Sequence, residues 1–584
     1  MSRTPISQAI LKSTLNFLRR RTADAFVSRL DNAARLQREW LLRRITMCRD
    51  TRFGRDHGFH ELRTVEDFRN RMAPRGYDAF APYIKAVASG HSEALLPAND
   101  RLVQFTITTG SSGAPKLNPV TRQWLREYQT GWMIWGLRLF TDHPEQIGSR
   151  VLQMAGTWDM GRTPGGHQIS MVSALLARRQ SPLLRPFYAI PEALNTGPDP
   201  IARHYTALRL SITDRIGWII LMNPGSLLRL AELGNLHRAE LIRDVADGTI
   251  SPRFELCQTI LRALPRKRMK PDPAGARRLE AIVERTGHLL PRDYWAQPVV
   301  SCWLAGTAGF QSRYIRDAFG PVPLRDMGLV SSEGRHTVPL DDDLPAGVPS
   351  VGAGFYEFIP LAEAGSAQPV VLESHELEPD QDYLLLLTNS AGYFRFNIGD
   401  VVRCRGFRGQ APLLEFRQKF ASTGDLEGEK LTEHQVVEGA HAAARQLGLS
   451  LGLITAVPRR HPEDGQWYDF LVEQPDVPDA ALAQEFLTRL DAELATLNFL
   501  WRARRKEGVI GPPRLVRLPA GSWEQFIRAE TERRGTGDYQ YKHPGLTSDE
   551  TVLDRFSSFD ISTLTGQVRY TPPPFGQTSA ADGG

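Results

Sequence analysis

Between residues 102 and 404, short apolar runs alternate with helical stretches. Residues 102–107, 151–154, 218–222, 299–304 and 383–388 are each of strand length, and the segments between them place apolar residues three and four apart. That alternation predicts α/β layering. The chain has 584 residues, and single cores stop growing near ~300 residues, so more than one domain is expected.

The texture changes at both ends of this region. Residues 1–75 read as helical. After Arg417 a helix (432–447), two strands (453–457, 467–473), a helix (479–497) and a strand (514–518) predict a compact α+β module. The expected organisation is a large N-terminal domain over 1–416, a hinge over 417–430, and a small, mobile C-terminal α+β domain over 431–570. The Pro- and Gly-rich residues 571–584 are expected to form a disordered tail. Residues 383–404 predict a β-hairpin that turns through Asn389, Ser390, Ala391 and Gly392. The basic, proline-containing segment 264–278 reads as a solvated loop.

Composition removes several function classes. A net charge of +5 is small for this length and argues against an extended nucleic-acid surface. Cys48, Cys257, Cys302 and Cys404 are far apart and form no CxxC pair. A disulfide framework or a zinc cluster is therefore not expected, and the default is reduced thiols in a cytoplasmic protein. No apolar run is long enough for stable membrane insertion. Composition leaves the oligomeric state open.

One stretch points to chemistry. Thr108, Thr109, Gly110, Ser111, Ser112, Gly113, Ala114, Pro115 and Lys116 follow the apolar run 102–107, and an amphipathic helical run begins after Pro119. The pattern predicts a strand, a loop able to expose N–H groups and hydroxyls, then a helix N-terminus, which together could cradle a polyphosphate. Its spacing is not that of a Walker loop. A bland surface turn is the alternative.

Four other constellations join it. Glu333, framed by Ser331, Ser332 and Gly334, could hold Mg²⁺, which takes oxygen ligands and one or two carboxylates beside phosphates; a solvent-facing turn glutamate is the other reading. Asp400 after Gly399 could accept both hydroxyls of a ribose, or merely end a strand. Arg417 and Lys430 flank the expected hinge. Lys542, in the run Gln540 to Pro544, is a flexible point charge able to reach an anion. Trp124, Tyr128, Trp132 and Trp135 recur at helical spacing, which favours core packing, although some could wall an apolar pocket.

Taken together, these motifs resemble the adenylate-forming superfamily, and the whole chain is similar to one branch, the Gretchen Hagen acyl acid amido synthetases. The resemblance is carried by residues 66–69, 77–84, 108–116, 324–333, 355–360 and 388–401, and by Asn498, Gly521 to Trp523 and Gln540 to Lys542. Asn397 departs from the plant hairpin motif, and residues 498–501 depart from the plant Asn-Pro-x-Tyr.

The resemblance implies an enzyme, an acid–amino acid ligase. It would use ATP and Mg²⁺ to convert a small carboxylic acid to its adenylate and pass the acyl group to an amine, an amino acid being favoured. Thr109, Gly110, Ser111, Ser112, Gly113 and Lys116 would hold phosphates. Thr307, Ser332, Asp400 and Arg417 would complete the nucleotide site, and Glu333 the metal site. Lys430 and Lys542 would be the catalytic lysines, and Arg138, Trp135 and Trp132 would meet the acyl substrate. An acyl-CoA ligase and a non-catalytic nucleotide-binding scaffold are the alternatives.

Overall fold

The computed structural model describes residues 13–557 and 568–569, apart from 109–115, 157, 181–183, 198, 307, 367, 421–422, 425, 428, 430, 462–464, 535–542, 548 and 550. Its contacts separate two compact units, one up to Arg417 and one formed mainly by Gln418–Arg533 and the described residues after 542.

In the first unit, helix α1 (Ala33–Cys48) precedes a hairpin of β1 (Leu102–Thr108) and β2 (Lys116–Thr121), which are antiparallel with Thr108 opposite Lys116. The loop 109–115 therefore joins two strands. The sequence pattern had led from that loop directly into a helix; a six-residue strand intervenes instead. Pro119 hid this strand, because proline interrupts a ladder. It is tolerated here because β2 is an edge strand, in the order β2-β1-β4. Thr121 then caps α2 (Arg122–Asp142), its side chain accepting from Trp124 N.

Strand β3 (Arg150–Gln153) begins a second sheet, while β4 (Ile169–Ser170) runs parallel to β1. Strands β5 (Ile216–Ile220), β6 (Val299–Cys302) and β7 (Leu324–Asp326) continue the second sheet in the order β3-β5-β6-β7, all parallel. All five residues of β5 and all four of β6 are buried, as expected for a parallel sheet covered by helices. One covering helix, Pro273–Thr286, starts inside the segment expected to be loop. Pro273 sits in its first turn and Asp272 caps it, accepting from Gly275 N at 2.9 Å, so these breaker residues mark a helix start.

The third sheet is β8 (Thr337–Val338), β9 (Ala346–Pro349), β10 (Gly354–Pro360), β11 (Leu372–Glu373), β12 (Asp382–Asn389), β13 (Phe396–Arg408) and β14 (Ala411–Lys419), in the order β11-β10-β12-β13-β14-β9-β8. The expected hairpin is β12–β13. An Arg395–Glu357–Arg69 cluster fastens it: Glu357 is 1% exposed and accepts from Arg395 Nε and Arg69 Nε, both at 3.0 Å.

The second unit contains β15 (Thr423–Gly424) paired with β16 (Leu431–Thr432). It also contains a four-stranded sheet of β17 (Thr455–His461), β18 (Gly465–Glu473), β19 (Arg514–Leu518) and β20 (Val568–Arg569). Helices α3 (Glu433–Gln446) and α4 (Ala480–Leu497) pack where Gly439 meets Leu494. This is the α+β texture read from the sequence. Residues 571–584 lie outside the described residues. All four cysteines are free, with Cys48, Cys302 and Cys404 buried. Among the described residues no helix is long and apolar enough to cross a membrane.

Candidate active site

Residues 330–335 fold back as a tight turn, Val330 bridging to Arg335 and Ser331 N donating to Gly334 O at 2.9 Å. Inside it, Glu333 N donates to Ser331 Oγ at 3.1 Å. Three elements hold this turn from outside. Strand β1 holds Ser332: Thr106 Oγ1 donates to Ser332 O at 3.1 Å, and Ser332 Oγ donates to Ile107 O at 3.2 Å. From α2, Trp124 Nε1 donates to Glu333 O at 2.6 Å, and from β12, Asn389 Nδ2 donates to the same oxygen at 2.9 Å. Each such bond contributes about 1 kcal/mol. Ser332 and Glu333 are 8% and 5% exposed and are fixed beside the strand from which residues 109–115 depart. Mg²⁺ takes oxygen ligands and needs as few as one protein carboxylate when phosphates supply the rest, so the Glu333 carboxylate is a donor that fits it. Among the described residues no cluster of three or more His, Cys, Asp or Glu could hold a metal by itself.

Asp400 owes its position to a bulge. Leu384 pairs with Val401 but Leu386 pairs with Asn397, so β13 has two more residues than β12 between these pairs. Gly399 takes φ +75° within the insertion, a conformation that favours glycine, and its N–H donates to Asn397 Oδ1 at 2.9 Å. The bulge re-aims Asp400, which is 7% exposed. A hydroxyl contact, Tyr393 to Asn118, ties this hairpin to β2.

Lys116 opens β2, its ammonium 5.3 Å from the ring centre of Tyr77. Tyr77 donates to Leu117 O at 3.0 Å, and burial, with Glu333 nearby, pushes its phenol up to about 12. Arg417 Nη1 donates to Glu415 Oε1 at 3.0 Å, and the backbone of Gly306 approaches the ring of Phe416 and the carbonyl of Arg417.

The aromatic residues of α2 are largely core. Trp135 is 0% exposed and donates to Asp326 O at 2.9 Å, while Trp132 is partly exposed with its ring 5.0 Å from that of Trp135. Arg138 donates to Asp142 Oδ1 at 3.1 Å. The structure thus gathers Ser332 and Glu333 on β1, with Glu333 also bonded to the β12–β13 hairpin that carries Asp400. Thr109, Gly110, Ser111, Ser112, Gly113, Thr307, Lys430 and Lys542 lie outside the described residues.

Sequence reasoning missed Asp326 and Arg335. Asp326 accepts from Leu304 N at 2.8 Å and Gly328 N at 2.9 Å, and burial raises its carboxyl to about 6. Burial lowers the Arg335 guanidinium to about 10. The only signal for Arg335 was its place directly after Gly334, and in a chain whose basic residues are mostly arginine that signal was weak.

Comparison with known proteins points to one family over most of the chain. Models described as the GH3 family N-terminal, central and C-terminal domains match residues 22–324, 348–419 and 434–551. Indole-3-acetic acid-amido synthetase GH3.8 of Oryza sativa subsp. indica is 24% identical over 85% of each chain. Jasmonoyl–L-amino acid synthetase GH3.5 of Oryza sativa subsp. japonica is 22% identical over 87% of this chain and 91% of its own. A solved structure called GH3.15 acyl acid amido synthetase superposes with TM-score 0.78 at 19% identity, over 90% of this chain and 93% of its own, and so shares the fold.

Proposed function

This chain belongs to the GH3 family, and from that premise we propose that it is an ATP-dependent acyl acid amido synthetase. A carboxylate is a poor electrophile, because oxide is an impossible leaving group. In the first step an oxygen of the acid attacks the α-phosphorus of ATP and pyrophosphate departs. In the second, an amine, an amino acid by preference, attacks the acyl carbon and loses a proton, and AMP leaves with the electron pair of the broken C–O bond.

Two anions must meet in the first step, so the protein's work is charge neutralisation and in-line positioning. Thr109 to Gly113 and Lys116 hold the phosphates, Asp400 takes the ribose hydroxyls, and Thr307, Ser332 and Arg417 border the nucleotide. Lys430 and Lys542 supply charge from the C-terminal domain, which turns about residues 417–430 between the half-reactions. Trp132, Trp135 and Arg138 belong to the acyl side. Glu333 would hold Mg²⁺, which screens the phosphate oxygens when bound.

The observation that carries this reading is the double anchoring of the Ser332–Glu333 turn. It is bonded to β1, the strand entering the phosphate loop, and through Asn389 to the hairpin bearing Asp400. The test is ATP–pyrophosphate exchange across aryl, indolyl and fatty acids, followed by mass analysis of products formed with amino acids or with CoA. Acid-dependent exchange and an amide product support the reading. A thioester product would make the chain an acyl-CoA ligase, and absence of exchange with every acid would make it a nucleotide-binding scaffold.

A further inference from the structure

The parallel strands β3, β5, β6 and β7 end along one edge, and the crevice beyond the carboxyl ends of such strands is where open α/β sheets take ligands. Arg335 reaches this edge. Its Nη2 donates at 3.2 Å to the carbonyl of Met327, the residue that follows β7. Its guanidinium lies 5.2 Å from the ring centre of Trp132 and 5.4 Å from that of Trp135. The residue is only 4% exposed, yet its Nε and Nη1 have no hydrogen-bond partner among the described residues. Asp326, the carboxylate whose field acts on it, gives its two oxygens to the N–H groups of Leu304 and Gly328.

Room for this side chain is built into α2. A Cβ on Gly131 would lie 2.8 Å from Arg335 Cδ, so the arginine crosses the helix where only glycine leaves space. A mid-helix glycine costs about 1 kcal/mol of helix propensity. Buried charged donors left unsatisfied cost more, and an anionic guest removes that penalty. Two partly exposed indoles lie near it: Trp132, and Trp303, whose indole N–H donates at 3.3 Å to the carbonyl of Gly328, one residue beyond the Met327 carbonyl that Arg335 meets.

We infer that Arg335 receives the carboxylate of the acid substrate, an aromatic monocarboxylic acid whose ring lies against Trp132 and Trp303. The assignment rests on the adenylation reading above. A guanidinium stacked on indoles matches a planar carboxylate next to a planar ring. Arg138 differs in having a carboxylate partner, Asp142 on its own helix, although its Nε too has no hydrogen-bond partner among the described residues.

The test measures KM for benzoate, indole-3-acetate and decanoate in ATP–pyrophosphate exchange, with KM for ATP beside it. In Arg335→Met, KM for the two aromatic acids rises about 10- to 100-fold while KM for ATP holds. Arg335→Lys recovers part of the loss. Gly131→Ala, which keeps the charge but displaces the side chain, raises KM for the acids in the same way, and it decides the matter if Arg335→Met does not fold. An unchanged KM for the acids in Arg335→Met, or a rise on Arg138→Met instead, overturns the assignment while leaving adenylation standing. A wild-type preference for decanoate overturns the aromatic class. Wild-type protein without exchange on any acid overturns both the adenylation reading and this assignment.

Discussion

Trp124 donates its indole N–H to the backbone carbonyl of Glu333 at 2.6 Å, joining α2 to a turn 209 residues further along the chain. Asn389 donates to the same oxygen, so one carbonyl holds a helix, a strand and the candidate metal carboxylate in fixed relation.

Removing the indole donor while keeping an aromatic ring loosens that relation. Trp124→Phe is expected to lower unfolding free energy by about 1–2 kcal/mol and to reduce adenylation. Asn389→Ala acts on the same oxygen, so the double variant loses less activity than the sum of the singles. Denaturant unfolding and pyrophosphate exchange on the three variants check this.

Glu333→Ala and Lys542→Ala each remove one charge from the proposed reaction centre. Each is expected to cost about 3 kcal/mol of barrier, or about 100-fold in exchange rate, with the cooperative melt retained. Wild-type exchange in both variants would refute the role given to these residues.

Gly399→Ala isolates the bulge. No atom lies within 4 Å of the added Cβ, so the effect is the φ of +75° and not a clash. The strain is about 1–2 kcal/mol. It is expected to appear as a raised KM for ATP, because Asp400 is re-aimed, while KM for the acid is unaltered.

Glu127 predicts a pH dependence of stability. It accepts from Gln123 at 2.9 Å and from Trp40 at 3.3 Å, and burial raises its carboxyl from 4.5 to about 7. Between those values the unfolded chain has released the proton while the folded protein keeps it, so stability falls as pH rises and levels off above 7. The side chain is only partly buried, so the loss is on the order of 2 kcal/mol. Glu127→Gln is expected to flatten the difference between unfolding free energies measured at pH 5 and pH 8; an unchanged slope would contradict this.

Much of the fold was legible in local pattern. The turn Asn389 to Gly392 between apolar runs announced β12–β13, and the apolar runs 218–222 and 299–304 announced two strands, which the structure pairs in parallel and buries. Strand β2 was not legible, because Pro119 and a helix beginning at Arg122 masked six residues that pair only with β1. Pro273 misled in the opposite sense, starting a helix where it read as a breaker. At the site, Glu333 and Asp400 were named from their glycine and serine neighbours, and Ser332 from the family resemblance. Their anchoring was invisible: Thr106 and Ser332 are 226 residues apart and meet only when β1 and the 330–335 turn are packed. Arg335 was illegible for a further reason. A buried guanidinium is significant for the partners it lacks, and sequence does not show partners.

The central claim is that the acid is activated by bond formation at the α-phosphorus. The most direct measurement uses the best acid from the exchange panel, labelled with oxygen-18 in its carboxylate, and weighs the AMP released after amide formation. The account predicts AMP carrying one labelled oxygen from the acid. Unlabelled AMP, or ADP and phosphate in its place, would contradict it.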